Sequence, residues 1–177
     1  MKMLMISLIQ LDKKEQHSHA HKLLRECLKP YNIAYSEDMP ALGEHGKPYL
    51  AEQPDVRFNL SHADGIAACI VSAHECGIDC ERVREYRPNV VRRAFAPEEQ
   101  ELLEAAPESE RGLLFFRIWT LKEAFVKTVG RGLSYPMSSV GFSFADGRII
   151  CTEEGFRFRQ YILRGGKYVV SVCETIG

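Results

Sequence analysis

Asp79, Glu81 and Glu123 are the three acids around which a reactive site can be built in this chain. Asp79 and Glu81 stand two apart in Cys76-Gly77-Ile78-Asp79-Cys80-Glu81-Arg82-Val83, which reads as a short strand, so both side chains point to one face. Two carboxylates side by side repel unless a cation or a proton lies between them. The plainer alternative is a pair of acids at an exposed strand end. Glu123 belongs to Trp119-Thr120-Leu121-Lys122-Glu123-Ala124-Phe125-Val126-Lys127, the last turns of a helix, where Glu123 and Lys127 are four apart and their side chains meet. On an open surface such a pair contributes only about 0.3–0.5 kcal/mol. Phe115, Phe116, Trp119 and Val126 surround this one, and an ionised pair in a half-buried cleft needs a further reason to be there.

Oxygen donors without Cys or His suit Mg²⁺, which takes carboxylates, water and substrate phosphate. Groups able to hold phosphate stand elsewhere: Lys47 after Gly46, Ser61-His62 at a strand end, and Lys127 itself. Acids for a metal and donors for phosphates point to metal-assisted phosphoryl or phosphodiester transfer. Neither Gly-x-x-x-x-Gly-Lys-[Ser/Thr] nor Gly-x-Gly-x-x-Gly occurs, which excludes the usual nucleotide-binding loops.

These residues need elements to hold them. The helix carrying Glu123 starts near Ser109 and stops at Gly130, with Pro136 beyond it, giving roughly 20 residues and about 30 Å. Leu114, Ile118, Leu121, Phe125 and Val129 form its apolar stripe. Val56–His62 and the almost wholly apolar Ile66–Ser72 flank the turn Ala63-Asp64-Gly65 and read as strands. Met3–Ile9 reads as a strand, and His17–Leu28 as a helix closed by Pro30. Residues two apart on a helix do not share a face, so His17, His19 and His21 do not converge on a metal. Tyr31–Tyr35 is β-prone, and a loop then ends in Gly43-Glu44-His45-Gly46-Lys47-Pro48. Ala96-Pro97-Glu98-Glu99 opens a helix to about Ala106. Val140–Phe144 with Arg148–Cys151, and Phe156–Leu163 with Tyr168–Cys173, read as two hairpins. Ser143-x-Ala-Asp-Gly-x-x-x-Cys151 echoes Ser61-x-Ala-Asp-Gly-x-x-x-Cys69, a weak sign of two related α+β halves.

The 177 residues make one ordinary domain or two small lobes, with 45% hydrophobic and 27% charged residues. A net charge of −1 gives no global drive toward nucleic acid or membrane. No apolar run approaches a membrane span, and Met1–Leu11, broken at Gln10 and Asp12, has no small-residue cleavage site. Six cysteines without a Cys-x-x-Cys pair read as reduced cytoplasmic thiols. Arg82, Arg84, Arg87, Arg92 and Arg93 form a local basic patch without aromatic partners, so a solvated face or a dock for an acidic protein fits better than nucleic acid.

Gly46-Lys47-Pro48, Phe58-Asn59-Leu60-Ser61-His62, Gly77-Ile78-Asp79-Cys80-Glu81 and Trp119-x-x-Lys122-Glu123-Ala124-x-x-Lys127 occur in that order. Together they resemble a 4′-phosphopantetheinyl transferase of the surfactin-synthetase-activating (Sfp) type, over roughly Ala20 to Val172. The resemblance implies a two-lobed, pseudo-symmetric α+β fold in a monomer, here divided as 1–75 and 76–177, with small antiparallel sheets on a long helix. It implies coenzyme A as donor and the serine of an apo acyl or peptidyl carrier protein, usually acidic, as acceptor. By position Asp79, Glu81 and Glu123 match the Mg²⁺ ligands, Glu123 also the base, and Lys127 the group that stabilises or protonates the leaving phosphate. Ser61 and His62 match phosphate contacts, and Lys47 and Pro48 a segment along the nucleotide. The family's longer basic N-terminal segment, which grips the 3′-phosphate, has no counterpart beyond Lys13 and Lys14, and that contact is not carried over. The other readings are a Mg²⁺-dependent phosphotransferase or hydrolase acting on another nucleotide and a non-catalytic module that binds carrier proteins or coenzyme A.

Overall fold

The computed structural model describes residues 2–9 and 12–176; Met1, Gln10, Leu11 and Gly177 lie outside them. The chain runs β1 (Met3–Leu8), α1 (Lys13–Leu28), β2 (Ala41–Leu42), β3 (Pro48–Tyr49), β4 (Arg57–Ala63), β5 (Ile66–Ser72) and β6 (Cys76–Arg82). It continues through α2 (Pro88–Ala94), α3 (Pro97–Ala105), α4 (Glu108–Val129), β7 (Phe142–Ala145), β8 (Arg148–Cys151), β9 (Phe156–Leu163) and β10 (Tyr168–Thr175). This is the expected α+β arrangement, with small antiparallel sheets and one long helix. Among the described residues no helix is long and apolar enough to cross a membrane.

Two three-stranded antiparallel sheets carry the fold, ordered β1-β5-β4 and β6-β10-β9. Each is built from a strand, a helix-bearing connection and a hairpin whose last strand takes the middle place. Both central strands are buried over nearly their whole length. The two-residue period of β5 sends Ala67, Cys69 and Val71 against Leu24 and Leu28 of α1, and Ile66, Ala68 and Ile70 against the second sheet. Likewise Val170 and Val172 of β10 face the first sheet, while Cys173 meets α4. The layers are therefore α1, sheet, sheet, α4. Leu24 and Leu28 are fully buried, and truncating either to Ala costs about 2–5 kcal/mol.

The Ser-x-Ala-Asp-Gly echo does not mark this repeat. It falls on β4–β5 and on the separate hairpin β7–β8, whereas the topological counterpart of β4–β5 is β9–β10. What the two stretches share is turn chemistry, with Gly65, Asp146 and Gly147 all at positive φ. Helix α1 starts four residues before His17 because Asp12 caps it: Asp12 Oδ1 accepts from Glu15 N at 2.9 Å, and Glu15 Oε2 accepts from Asp12 N at 3.1 Å. Lys13 and Lys14 open that helix; their side chains lie outside the described residues. Tyr31–Tyr35 does not form the expected strand. Pro30 sits in a 3-10 turn over Lys29–Tyr31, and Asn32 closes it in the left-handed region at φ 58°. Lys47 ends the connection between the short paired strands β2 and β3, and the basic segment after β6 folds in part into α2.

Candidate functional site

The proposed site residues lie where the two sheets and α4 meet. Strands β4 and β6 lie side by side at the sheet edges, and side chains bridge them: Asn59 Oδ1 accepts from Ile78 N at 2.8 Å and Ser61 Oγ from Cys80 N at 3.2 Å. Gly77 then lets α4 come in close, because a Cβ at that position would lie 2.2 Å from Ala124 O and 2.6 Å from Thr128 N. This contact brings the α4 face carrying Glu123 and Lys127 onto the β6 face carrying Asp79 and Glu81.

Lys127 does not pair with Glu123, as the four-residue spacing alone led us to expect. Its Nζ lies 2.7 Å from Asp79 Oδ1 and also donates to Ile78 O at 3.1 Å and Ser61 Oγ at 3.4 Å. Ser61 Oγ donates to the same Asp79 oxygen at 2.9 Å. Asp79 Oδ2 is the one buried side-chain polar atom among the described residues without a hydrogen-bond partner. An orphaned carboxylate oxygen in a buried position calls for a ligand or a cation.

Charge is crowded here. Burial, the Asp79 carboxylate and Glu81 push the Glu123 carboxyl up to about 7, against the pull of Lys127. Burial likewise raises Glu81, opposed by its bond to Arg84 and reinforced by Asp79. Burial lowers the Lys127 ammonium, but Asp79 and Glu123 outweigh it and leave it raised. Among the described residues no three His, Cys, Asp or Glu side chains are drawn together into a ready metal-binding group. The donor chemistry fits a hard divalent cation all the same: three carboxylates that repel one another, oxygen donors only, and one buried oxygen left without a partner.

Two cavities flank the cluster. The first, of about 400 Å³, is lined by Lys47 and Pro48, by Glu123, Val126 and Lys127, and by Tyr135. The second, of about 740 Å³, is lined by His62, Asp64, Glu81, Arg82 and Arg84. Ser61 and His62 part company, as neighbours on a strand must: Ser61 turns to Asp79, while His62 is exposed beside His17, with ring centroids 5.9 Å apart. Lys47 reaches across the first cavity's edge to Glu75 Oε2 at 2.8 Å and Thr128 O at 3.1 Å, so its ammonium is tied to the protein. Arg84 bonds Glu81 at 2.7 Å on the second side.

Other residues of the site region were not singled out from sequence. Asn59 lies inside a quoted motif, yet its bond across the seam is a tertiary fact. Lys122, next to Glu123, turns inward and pairs with Glu99 at 2.7 Å, both fully buried. His17 and His21, four apart on α1, do share a face, with ring centroids 4.5 Å apart, whereas His19 turns to Ser7.

Residues 75–173 match the 4′-phosphopantetheinyl transferase superfamily. A 4′-phosphopantetheinyl transferase of Bacillus subtilis is 35% identical over 103 residues, 58% of this chain and 46% of that protein. The 4′-phosphopantetheinyl transferase gsp of Aneurinibacillus migulanus is 34% identical over 118 residues, 66% of this chain and 49% of that protein. The chain thus spans about half the length of the curated relatives it matches. Among solved structures, the holo-(acyl-carrier-protein) synthase of Thermotoga maritima aligns with a TM-score of 0.48 at 20% identity, over 57% of this chain and 62% of that one.

Proposed function

This chain belongs to the 4′-phosphopantetheinyl transferase superfamily, and from that premise we propose that it transfers 4′-phosphopantetheine from coenzyme A to a serine hydroxyl of an apo acyl or peptidyl carrier protein. The observation that carries the reading is the cluster Asp79, Glu123 and Lys127 lying between two cavities, with an unpartnered buried oxygen on Asp79.

In this reading coenzyme A lies in the first cavity, along Lys47 and Pro48, with its pyrophosphate toward Ser61 and Lys127. The carrier serine enters from the side of Glu81 and His62. The serine oxygen forms a bond to the phosphorus that bears pantetheine, and the bond from that phosphorus to the bridging pyrophosphate oxygen breaks. Adenosine 3′,5′-bisphosphate leaves. Glu123 takes the serine proton, and the Lys127 ammonium stabilises charge on the departing phosphate or gives it a proton. His62 lines the second cavity, and its contact in this reading is with the phosphate from that side. Asp79, Glu81 and Glu123 would hold Mg²⁺, which would supply neutralisation of phosphate charge.

The carrier is read as acidic because Arg82 and Arg84 line the second cavity and Arg87, Arg92 and Arg93, which follow them in the chain, are exposed. The repeated strand order supports two lobes, 1–75 and 76–177. We assign the protein to the cytoplasm as a monomer, with its six cysteines as free thiols. The test is incubation with coenzyme A, Mg²⁺ and a panel of apo carrier proteins, read by intact mass. A mass gain equal to phosphopantetheine on at least one carrier is expected; none on any carrier overturns the proposal.

A further inference from the structure

Lys122 is a buried cation that touches neither cavity. Its Nζ bonds Glu99 Oε2 at 2.7 Å, Met137 O at 2.9 Å and Val140 O, which uses all three ammonium hydrogens. Glu99 Oε2 accepts from Ala96 N and Glu99 Oε1 from Phe142 N, each at 2.7 Å. One ion pair thus joins the start of α3, the middle of α4, the 3-10 turn Met137–Ser139 and the start of β7. Stability alone does not call for it, since apolar side chains of similar volume commonly replace a buried ion pair without loss. What an apolar pair cannot do is hold the Met137 and Val140 carbonyls.

Those carbonyls belong to the segment that closes the first cavity, where Gly130, Gly132, Tyr135 and Met137 are lining residues. Between Gly130 and Phe142 the backbone forms only two 3-10 turns, Gly132–Ser134 and Met137–Ser139. Without a helix or a strand to fix it, this wall takes its place from what grips it. We propose that Lys122 and Glu99 are a positioning pair that sets the wall of the coenzyme A cavity, acting on donor affinity and not on the reacting atoms. The inference rests on the reading of this cavity as the donor site.

Three variants separate positioning from stability: Glu99→Gln, Lys122→Met, and the double variant Glu99→Leu with Lys122→Met. Each single change leaves a buried group without its partner and lowers the melting temperature sharply. The double change restores most of that loss. It nevertheless weakens coenzyme A binding, measured by calorimetry, and raises the apparent KM for coenzyme A by roughly tenfold, with kcat at saturating donor within about threefold of wild type. A double variant with wild-type stability and wild-type coenzyme A affinity overturns the proposal. A second arm needs no variant: in hydrogen exchange on the wild-type protein, coenzyme A should protect amides in Gly132–Val140. Protection at Gly46 and Lys47 without protection at Gly132–Val140 overturns the inference and leaves the donor site standing. A wild-type protein that binds no coenzyme A at all removes both.

Discussion

Lys127 Nζ bonds Asp79 Oδ1 on the neighbouring strand at 2.7 Å, and it meets Glu123, one turn back on its own helix, only through charge. The bond takes one oxygen of Asp79 and leaves the other buried and unpartnered. Lys127 is thus the counter-ion of the resting site and, in the proposed mechanism, the cation that meets the phosphates. Removing it should be felt twice. Lys127→Ala is expected to lower kcat by about 10²–10³, the usual effect of losing one charge-stabilising group. It should also destabilise the protein without metal by about 1–2 kcal/mol, discounted because the lysine side chain is 28% exposed while Asp79 is buried. Adding Asp79→Asn should restore the melting temperature but not turnover. Near-normal kcat in Lys127→Ala would sink the mechanism.

The acids carry a separate expectation. If Asp79, Glu81 and Glu123 hold one divalent ion, Mg²⁺ should raise the melting temperature of the wild-type protein, with a linkage of about 2.7 kcal/mol at a hundredfold excess over Kd. Asp79→Asn and Glu123→Gln should each abolish that shift. Glu123→Gln should be more stable than wild type without metal because its burial and like-charge costs are relieved, whereas Asp79→Asn should gain nothing, because it strips Lys127 of its counter-ion. A Mg²⁺-induced shift that survives in both variants places the ion elsewhere.

Much of this was legible in the sequence, for particular reasons. Strands β4, β5, β6, β9 and β10 announce themselves by alternation or by wholly apolar runs bounded by Gly turns, and α4 by its stripe and the Gly130 stop. Helix α2 hid behind its charge, because Pro88 at the first turn was the only start signal in a run of arginines. The Tyr31–Tyr35 stretch was misjudged on propensity, where Pro30 and the left-handed Asn32 decide the backbone. The acids and Lys127 were singled out by spacing, but which acid Lys127 bonds depends on how deeply α4 seats on Gly77. Lys122 and Glu99 are 23 residues apart by number, and no periodicity relates them.

Glu174 on β10 gives a prediction on pH. It accepts from Ser72 Oγ at 2.8 Å and pairs with Lys2, so it ties the second sheet to one end of the first, where Lys2 and Ser72 adjoin the paired residues Met3 of β1 and Val71 of β5. Burial alone would raise its carboxyl, but the bonds to Lys2 and Ser72 outweigh it and hold the group below its ordinary 4.5. A carboxyl lowered in the folded state contributes stability that is fully present above about 4.5 and disappears as pH falls through the folded value. Glu174→Gln should therefore cost about 1–3 kcal/mol at pH 7, and its gap to wild type should close below pH 4.5 in urea melts. A gap that stays constant from pH 7 to pH 3 would show that the bond works through shape and not charge.

Arg92 and Arg93 end α2 with both side chains exposed. Arg92→Glu combined with Arg93→Glu should raise the apparent KM for an acidic carrier while that for coenzyme A changes little. The wild-type rate at subsaturating carrier should fall with added salt, and the double variant should lose that dependence. An unchanged carrier KM reduces the patch to a solvated face.

The most demanding expectation falls on a residue with no side chain. Gly77 starts the segment that presents Asp79, and any Cβ there would meet Ala124 O at 2.2 Å, Thr128 N at 2.6 Å and Thr128 Oγ1 at 2.7 Å. Two of these atoms are helix backbone, so no rotamer change relieves the clash, and α4 must retreat from β6. Gly77→Ala should cost at least the roughly 1–3 kcal/mol typical of overpacking. Because Lys127 precedes Thr128, the retreat should also lengthen the Lys127–Asp79 bond and lower kcat by about 10², the scale of a misplacement near 1 Å. Gly112→Ala on the same helix is the control. Its Cβ would find only ordinary contacts, with Arg84 O at 3.8 Å and Val83 at 3.9 Å, inside a helix where Ala outperforms Gly. That change should raise stability by about 0.4–1 kcal/mol and leave turnover alone. Melting temperature and kcat, measured on both variants, decide the matter: if Gly77→Ala tracks Gly112→Ala, close seating of α4 on β6 is not what assembles the site.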